Sequence, residues 1–510
     1  MHLAYTCGFQ ADALERVASE VLGLVRSAKN SFAPINRIPS EVLSTIPDYY
    51  REGVQDRVLI ALTHVCRDWR EKFTSRASLW TRLDFTNIDK TRTYIQRSQS
   101  SPLQFCIKSR RVIAIDDALT LIIPHIRRLK SITINAHALP NVLKHFCCPT
   151  PLLEKLHIDI AAVRDSVLDA ALFNGDLSSL RELRLIGVIT NLPWKNLANL
   201  RVFDIGSYSP RYGVTQLLNF FESAPLLHTI RLEVSTQRSS DAPPQRIVPL
   251  SHLKVLTIRA DPPHSTLLRH LHIPIGASLI SKFHFSGEES PLLEYLPERS
   301  PNFSNLSHIT AINLLFDHDR KLARFGGPSG SVCVFAKLEE RMTPLYPLDR
   351  RILRSIGRPT LSTIQRLAIS KYRDPRRSGT EECPVLQALS STHNLRTLTL
   401  IDCNDQPFIL ALNPRKNPSN LIFCSNLREL VLYTRLVWFD VDSLLDMTKN
   451  RASRGAKLSS IRLIGLRRLE LEAETEVLKL REYVTHVEYR VGDIQPEWDD
   501  VHSESDGEDR

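Results

Sequence analysis

No two cysteines in this chain stand in a C-x-x-C pair, and the nine present are scattered from Cys7 to Cys424. An odd, dispersed set supports neither a disulfide framework nor a zinc site, and it fits a reducing compartment. Long hydrophobic runs are missing too: none approaches the ~18 residues that span a bilayer. Asp12, Glu15 and Glu20 fall where a secretory leader would need its apolar core. The expectation is a cytoplasmic or nuclear protein without membrane contact.

Catalytic signatures are equally scarce. Gly326 to Gly330 is glycine-rich, but it lacks the Gly-Lys-Ser/Thr ending of a phosphate loop and precedes a strand-like SVCVF run. It reads as a turn. Ser329 is followed by Gly330 and Ser331, so the last glycine of a nucleophile elbow is absent. His270 and His272 have no carboxylate or cysteine neighbour to complete a metal set, and Asp317-His318-Asp319 offers no fourth ligand. No catalytic residue, metal or cofactor is expected, and the chain reads as a non-enzyme.

What the chain does have is length, charge asymmetry and repetition. Its 510 residues exceed what one compact core accommodates. The net charge is +10, but residues 492–510 hold eight acids and one base, which leaves +17 on residues 1–491. A basic body with an acidic, disordered tail points to solvated surface, to an acidic partner or to nucleic acid. Five boundaries follow. Residues 1–33 form an amphipathic helix and linker, with Leu14, Val17, Val21, Leu24 and Ala28 at heptad-like spacing. Two heptads are too few for a coiled coil, so this helix is expected to pack on its own domain. Residues 34–85 form a small three-helix unit, and 86–125 a connection.

From about residue 126 to 491, an apolar-x-x-apolar-x-apolar unit recurs, starting at Leu129, Leu153, Leu180, Leu200, Leu227, Leu253, Ile280, Ile309, Ile364, Leu395, Leu427 and Leu458. Most steps lie between 20 and 32 residues; the step from Ile309 to Ile364 is about double. Such self-similarity is the signature of a solenoid, in which stacked units share a core that none buries alone. A β-hairpin is expected within the long step, near 317–357.

Residues 38–69 carry a family resemblance. Ile38-Pro39-Ser40-Glu41-Val42-Leu43, then Ile46, then Val65-Cys66-Arg67-Asp68-Trp69 and Leu79-Trp80, resemble the F-box. With the ragged repeats and Arg97 to Leu103, the chain is similar to fungal F-box proteins that carry degenerate leucine-rich repeats. It departs in a longer stretch between Pro39 and Val65, and in Pro47. The implied fold is an α/β one: a three-helix F-box followed by a leucine-rich-repeat-like solenoid, or horseshoe.

The resemblance implies a substrate-recognition adaptor of a Skp-cullin-F-box ubiquitin ligase. Ile38, Pro39, Val42, Leu43, Ile46 and Val65 are the candidates for binding the Skp-type adaptor; Leu62, Cys66, Trp69 and Trp80 are candidates for the F-box core. Between the core positions of successive strands runs a polar, mildly basic column that includes His157, Arg184, Asp204, Arg231, His284, Asn313 and Arg462. On the concave face of a horseshoe it would meet a protein substrate, acidic or phosphorylated, held by Arg184 and Arg231. Two alternatives stand: a repeat scaffold with a vestigial F-box and, less favoured because no aromatic-basic motif accompanies the arginines, a nucleic-acid binder.

Overall fold

A computed structural model describes residues 2–39, 42–43, 45, 56–85, 87–109, 120–136, 146–161, 166–168, 172–190, 197–206, 213–233, 246–259, 265–285, 309–316, 320–327, 330–338, 363–372, 384–417, 419–433, 440–466 and 471–491. Ile46, Pro47, Asp317 to Asp319 and the acidic tail lie outside the described residues. The chain is mixed α/β and divides into two compact units, Met1–Pro193 and Trp194–Arg510.

The first unit opens with helix α1 (His2–Ser31) and a short 3-10 turn, Pro34–Arg37. The apolar stripe of α1 is not the side that the helix turns inward. Leu14 is 71% exposed, and Val17, Val21 and Leu24 are exposed with it. The helix instead turns Gly23 toward the Arg67 guanidinium, so close that an added Cβ would meet Nη2. Small residues, not the apolar stripe, face the body.

Two further helices follow, α2 (Asp56–Thr63) and α3 (Arg67–Ser75). Apolar residues recur at helical spacing from Leu59 to Trp69, as they would in one continuous helix. The chain breaks it at Cys66, whose backbone is extended (φ −157°, ψ 174°), and Arg70 Nε then reaches back to the Thr63 carbonyl at 3.0 Å. The apolar periodicity survives the break because both helices bury the same side. Trp69 and Phe73 meet edge to face, and Trp80 donates from Nε1 to the Phe73 carbonyl at 2.9 Å. Helix α4 (Ile88–Arg97) starts on Asn87, whose side chain accepts from the amides of Asp89 and Lys90. It brings Tyr94 and Arg97 onto the Trp80 ring.

The sheet of this unit is parallel: β1 (Arg82–Leu83), β2 (Leu103–Ser109), β3 (Leu129–Ala136), β4 (Lys155–Ile160) and β6 (Glu182–Ile186) are neighbours in that order. Strands β5 (Ser166–Leu168) and β7 (Val188–Thr190) pair separately. Register explains the repeating leucines. Leu83, Phe105, Ile132, Leu156 and Leu183 fall directly opposite one another and form one buried file. Period-two alternation in each strand thus becomes a continuous core across strands.

The second unit repeats this scheme. In chain order its strands are β8 (Val202–Gly206), β9 (Thr229–Glu233), β10 (Val248–Pro249), β11 (Val255–Arg259), β12 (Leu271–His272), β13 (Ser278–Phe285), β14 (Ala311–Phe316), β15 (Arg320–Gly327), β16 (Gly330–Leu338), β17 (Arg366–Ser370), β18 (Thr397–Ile401), β19 (Glu429–Tyr433), β20 (Ser460–Leu466) and β21 (His486–Val491). Helices α5 (Val214–Ser223), α6 (Ser265–Arg269), α7 (Pro384–Ser391), α8 (Gln406–Leu412), α9 (Val441–Ser453) and α10 (Leu471–Tyr483) lie between them in the chain. A tight turn closes on the leading leucine of many strand units, as where the amides of Leu200, Leu253, Leu395 and Leu427 each bond the carbonyl three residues back. Arg451, fully buried in α9, donates to the carbonyls of Phe423 and Cys424 and so pins one such turn to the helix.

The expected hairpin is present as β15 and β16, but it is spliced into the main sheet. Strand β16 pairs parallel with β13, β15 is antiparallel to both its neighbours, and β14 pairs parallel with β17. The doubled repeat step is therefore filled by in-line strands.

Candidate functional site

Two surfaces gather the residues singled out by the sequence. The first surrounds the segment at 38–65. Pro39 accepts from the amide of Leu43 at 3.0 Å, which starts a helical turn there. Trp69 donates from Nε1 to the Asn36 side-chain oxygen at 2.6 Å and fixes the approach to that turn. Pro39 is exposed and Ile38 half-buried, while Val42 and Val65 are 53% and 56% exposed. Leu43 departs from its expected place: at 1% exposure it lies inside the unit, out of reach of a docking partner. The physical reason is helical geometry, since adjacent residues on one turn point about 100° apart and only one of the two faces outward. Among the core candidates, Trp69 and Trp80 are buried, and Leu62 and Cys66 are half-buried.

The second surface is the mid-strand column, described unit by unit. In the first unit Thr133, His157 and Arg184 lie in register and are half-buried. His157 Nε2 stands 3.4 Å from Glu182, which also binds Lys155 at 2.6 Å. Burial, helped by Arg184 and Lys155 and opposed by Glu182, holds the His157 pKa below its ordinary value. The imidazole is mainly neutral at pH 7 and accordingly a weak anion ligand.

In the second unit Asp204, Arg231 and Thr257 are in register, and Asp204 stands 3.9 Å from Arg231. The next position is Ile280. His284 therefore leaves the column: it pairs with Lys337, four residues farther along β13. A slip of four preserves the face of an alternating strand, so periodicity alone accepts either register. Beyond the meander the column continues through Asn313, Ala368, Thr399, Val431 and Arg462 to Glu488. Asp204 and Val431 are buried, not solvated. Arg462 binds Glu488 at 3.1 Å and Glu429 at 3.5 Å, and Arg490 also meets Glu488. Such partly exposed pairs add little stability, about 0–1 kcal/mol each, but they neutralise the cations.

No protein-family model matches the chain, and no curated protein matches it.

Elsewhere, His270 is engaged with the Arg246 carbonyl at 3.0 Å. Cys403, just after strand β18, places its thiol 3.1 Å from the Ile369 carbonyl of β17. Burial pushes that thiol up to about 12.

A feature missed from the sequence is the row at which each strand begins. The residue after the leading leucine is cationic in many units: Lys130, Arg181, Arg201, Lys254, Arg396 and Arg428, with His228 among them. The backbone stacks these residues. The amide of His228 bonds the Arg201 carbonyl, that of Lys254 the His228 carbonyl, and that of Arg428 the Arg396 carbonyl. The position after each leucine was the signal, and attention to the column between the leucines passed over it.

Proposed function

We propose that this chain is the substrate-recognition adaptor of a Skp-cullin-F-box type ubiquitin ligase. Residues 38–69 bind the Skp-type adaptor, and a leucine-rich-repeat-like solenoid, curved as a horseshoe, presents a protein substrate. The observation that carries this reading is the pairing of an F-box-like sequence with an outward apolar patch. Pro39, Val42 and Val65 are exposed on a helical unit whose own core is already supplied by Trp69, Phe73 and Trp80. Exposed apolar groups on so small a unit fit a docking surface. The repeated strand units, most of them led by a buried leucine, support the solenoid. The substrate is an acidic or phosphorylated protein segment, in keeping with the +17 charge on residues 1–491.

The withdrawal of Leu43 from the patch favours one competing reading, a repeat scaffold whose F-box no longer engages an adaptor. Co-purification separates the two. Wild type should retain a Skp-type adaptor, and an Ile38→Asp, Pro39→Ala double variant should lose it. Failure of the wild-type chain to retain the adaptor would leave the scaffold.

A further inference from the structure

The charges at mid-strand are largely answered by carboxylates, as His157 and Lys155 are by Glu182, Arg231 by Asp204, and Arg462 by Glu429 and Glu488. The strand-entry row differs between the units. In the first it reads Lys130, Glu154, Arg181, and Glu154 sits 3.6 Å from Lys130. Acid alternates with base, as cross-strand pairing favours.

In the second unit the same row reads Arg201, His228, Lys254. Backbone hydrogen bonds of 2.8 and 2.7 Å link the three in succession, so they stack on neighbouring strands about 4.8 Å apart. The His252 ring lies 6.2 Å from that of His228. Arg201, His252 and Lys254 are exposed. The His228 pKa is lowered by burial, and then by Lys254, Arg201 and His252; among the described residues, the charges that shift it are cationic. Like charges directly opposite on adjacent strands are destabilising. Nothing within the row offsets that cost, and a bound anion would.

We propose that the strand-entry edge of the second unit, at Arg201, His228 and Lys254, binds a protein segment dense in carboxylate or phosphate groups. Extended peptide places alternate side chains about 7 Å apart, a spacing that the long arginine and lysine side chains span from successive strands. The row carries no Phe, Tyr or Trp, the broad platforms on which nucleobases stack best, so a peptide fits it better than single-stranded RNA. That this segment belongs to a ligase substrate rests on the function proposed above; the binding itself does not.

The test uses the full-length chain and fluorescence anisotropy with three labelled peptides: one rich in glutamate, one rich in phosphoserine, and an uncharged one of equal length. At least one acidic peptide should bind saturably and the uncharged one should not; the two acidic peptides tell carboxylate from phosphate recognition. An Arg201→Glu, Lys254→Glu double variant should weaken binding by about tenfold or more, while Arg92→Ala, which removes an exposed cation of α4 already paired with Asp89, should stay within about twofold. Melting temperatures would establish that both variants are folded. His228→Gln, which removes the central ring without adding charge, should weaken binding less than the double variant. Absence of saturable binding, equal binding by the charge-reversed variant, or tighter binding of labelled oligouridine would overturn the proposal. Adaptor retention, measured on the same preparations, is independent. Peptide binding without retention keeps this site and removes the ligase role, and the converse result removes only this site.

Discussion

Val42 and Leu43 are neighbours in the chain, and substituting each one separates a side chain proposed to dock from a core side chain. Leu43 is 1% exposed, so Leu43→Ala removes buried methyl groups and leaves a cavity, at a cost of about 2–5 kcal/mol. For a unit of 193 residues each kcal/mol is worth roughly 2–4 °C, so a cost near ~3 kcal/mol lowers its melting temperature by about 6–12 °C. Val42 is 53% exposed, and a surface substitution there changes stability by about 0.5 kcal/mol or less. Burying a valine fully is worth about 1.5–3 kcal/mol, and roughly half of that, ~0.8–1.6 kcal/mol, is left to be gained on docking. Val42→Asp forfeits this gain and adds the desolvation of a charge, so Skp-adaptor binding should weaken by at least about four- to fifteenfold. Differential scanning calorimetry and isothermal titration with the purified adaptor measure the two quantities. The reasoning is refuted if Val42→Asp melts as low as Leu43→Ala, or if it binds the adaptor as tightly as wild type.

Gly187 has φ +67°, and a Cβ there would lie 2.0 Å from the Ile160 carbonyl oxygen. Gly187→Ala should therefore destabilise the first unit by about 2 kcal/mol or more, seen as faster limited proteolysis of that unit. Burial pushes the Asp405 carboxyl up to about 6, from 3.8. The stability linked to its protonation is present below 3.8 and lost as pH rises through about 6, so Asp405→Asn should raise the urea midpoint at pH 8 more than at pH 5. Equal gains at both values would contradict that linkage. Cys403 and Cys424 are held at about 12 and about 11 by burial, whereas Cys147 and Cys148 are exposed. Brief alkylation at pH 8 should mark the exposed pair first, as mass spectrometry of the peptides would reveal.

Much of the strand layout was legible, because a buried file such as Leu83, Phe105, Ile132, Leu156 and Leu183 imposes the same leucine-led motif on every strand. Register was less so. On strand β13, Ile280 and His284 share one face, so two alignments four residues apart keep the same faces; only pairing with Thr257 chooses between them. The break at Cys66 was hidden for a related reason, since two short helices burying one side reproduce the spacing of a single long one. The charge state of the column was not legible at all. Glu182 and Glu429 sit at strand entrances, outside the column where the cations were sought, and proximity across strands, not along the chain, pairs them with His157 and Arg462. On α1 the heptad-like stripe was correctly seen, but amphipathicity does not say which side a helix turns inward, and Gly23 decided that.

The meander of β14, β15 and β16 has a consequence for how such a chain grows or shrinks. Strands β13 and β17 run the same way because two extra strands, one up and one down, separate the parallel series on either side. Insertion of a single hairpin-connected, antiparallel strand would have reversed the direction of everything that follows, turning leucine files and helix connections to the wrong ends. Antiparallel additions to a parallel array of this kind therefore obey an even-number rule, unlike the crossover-connected strands, which add one at a time. Deletion of the β15–β16 hairpin would leave β14 free to pair directly with β13 in parallel, restoring an uninterrupted series.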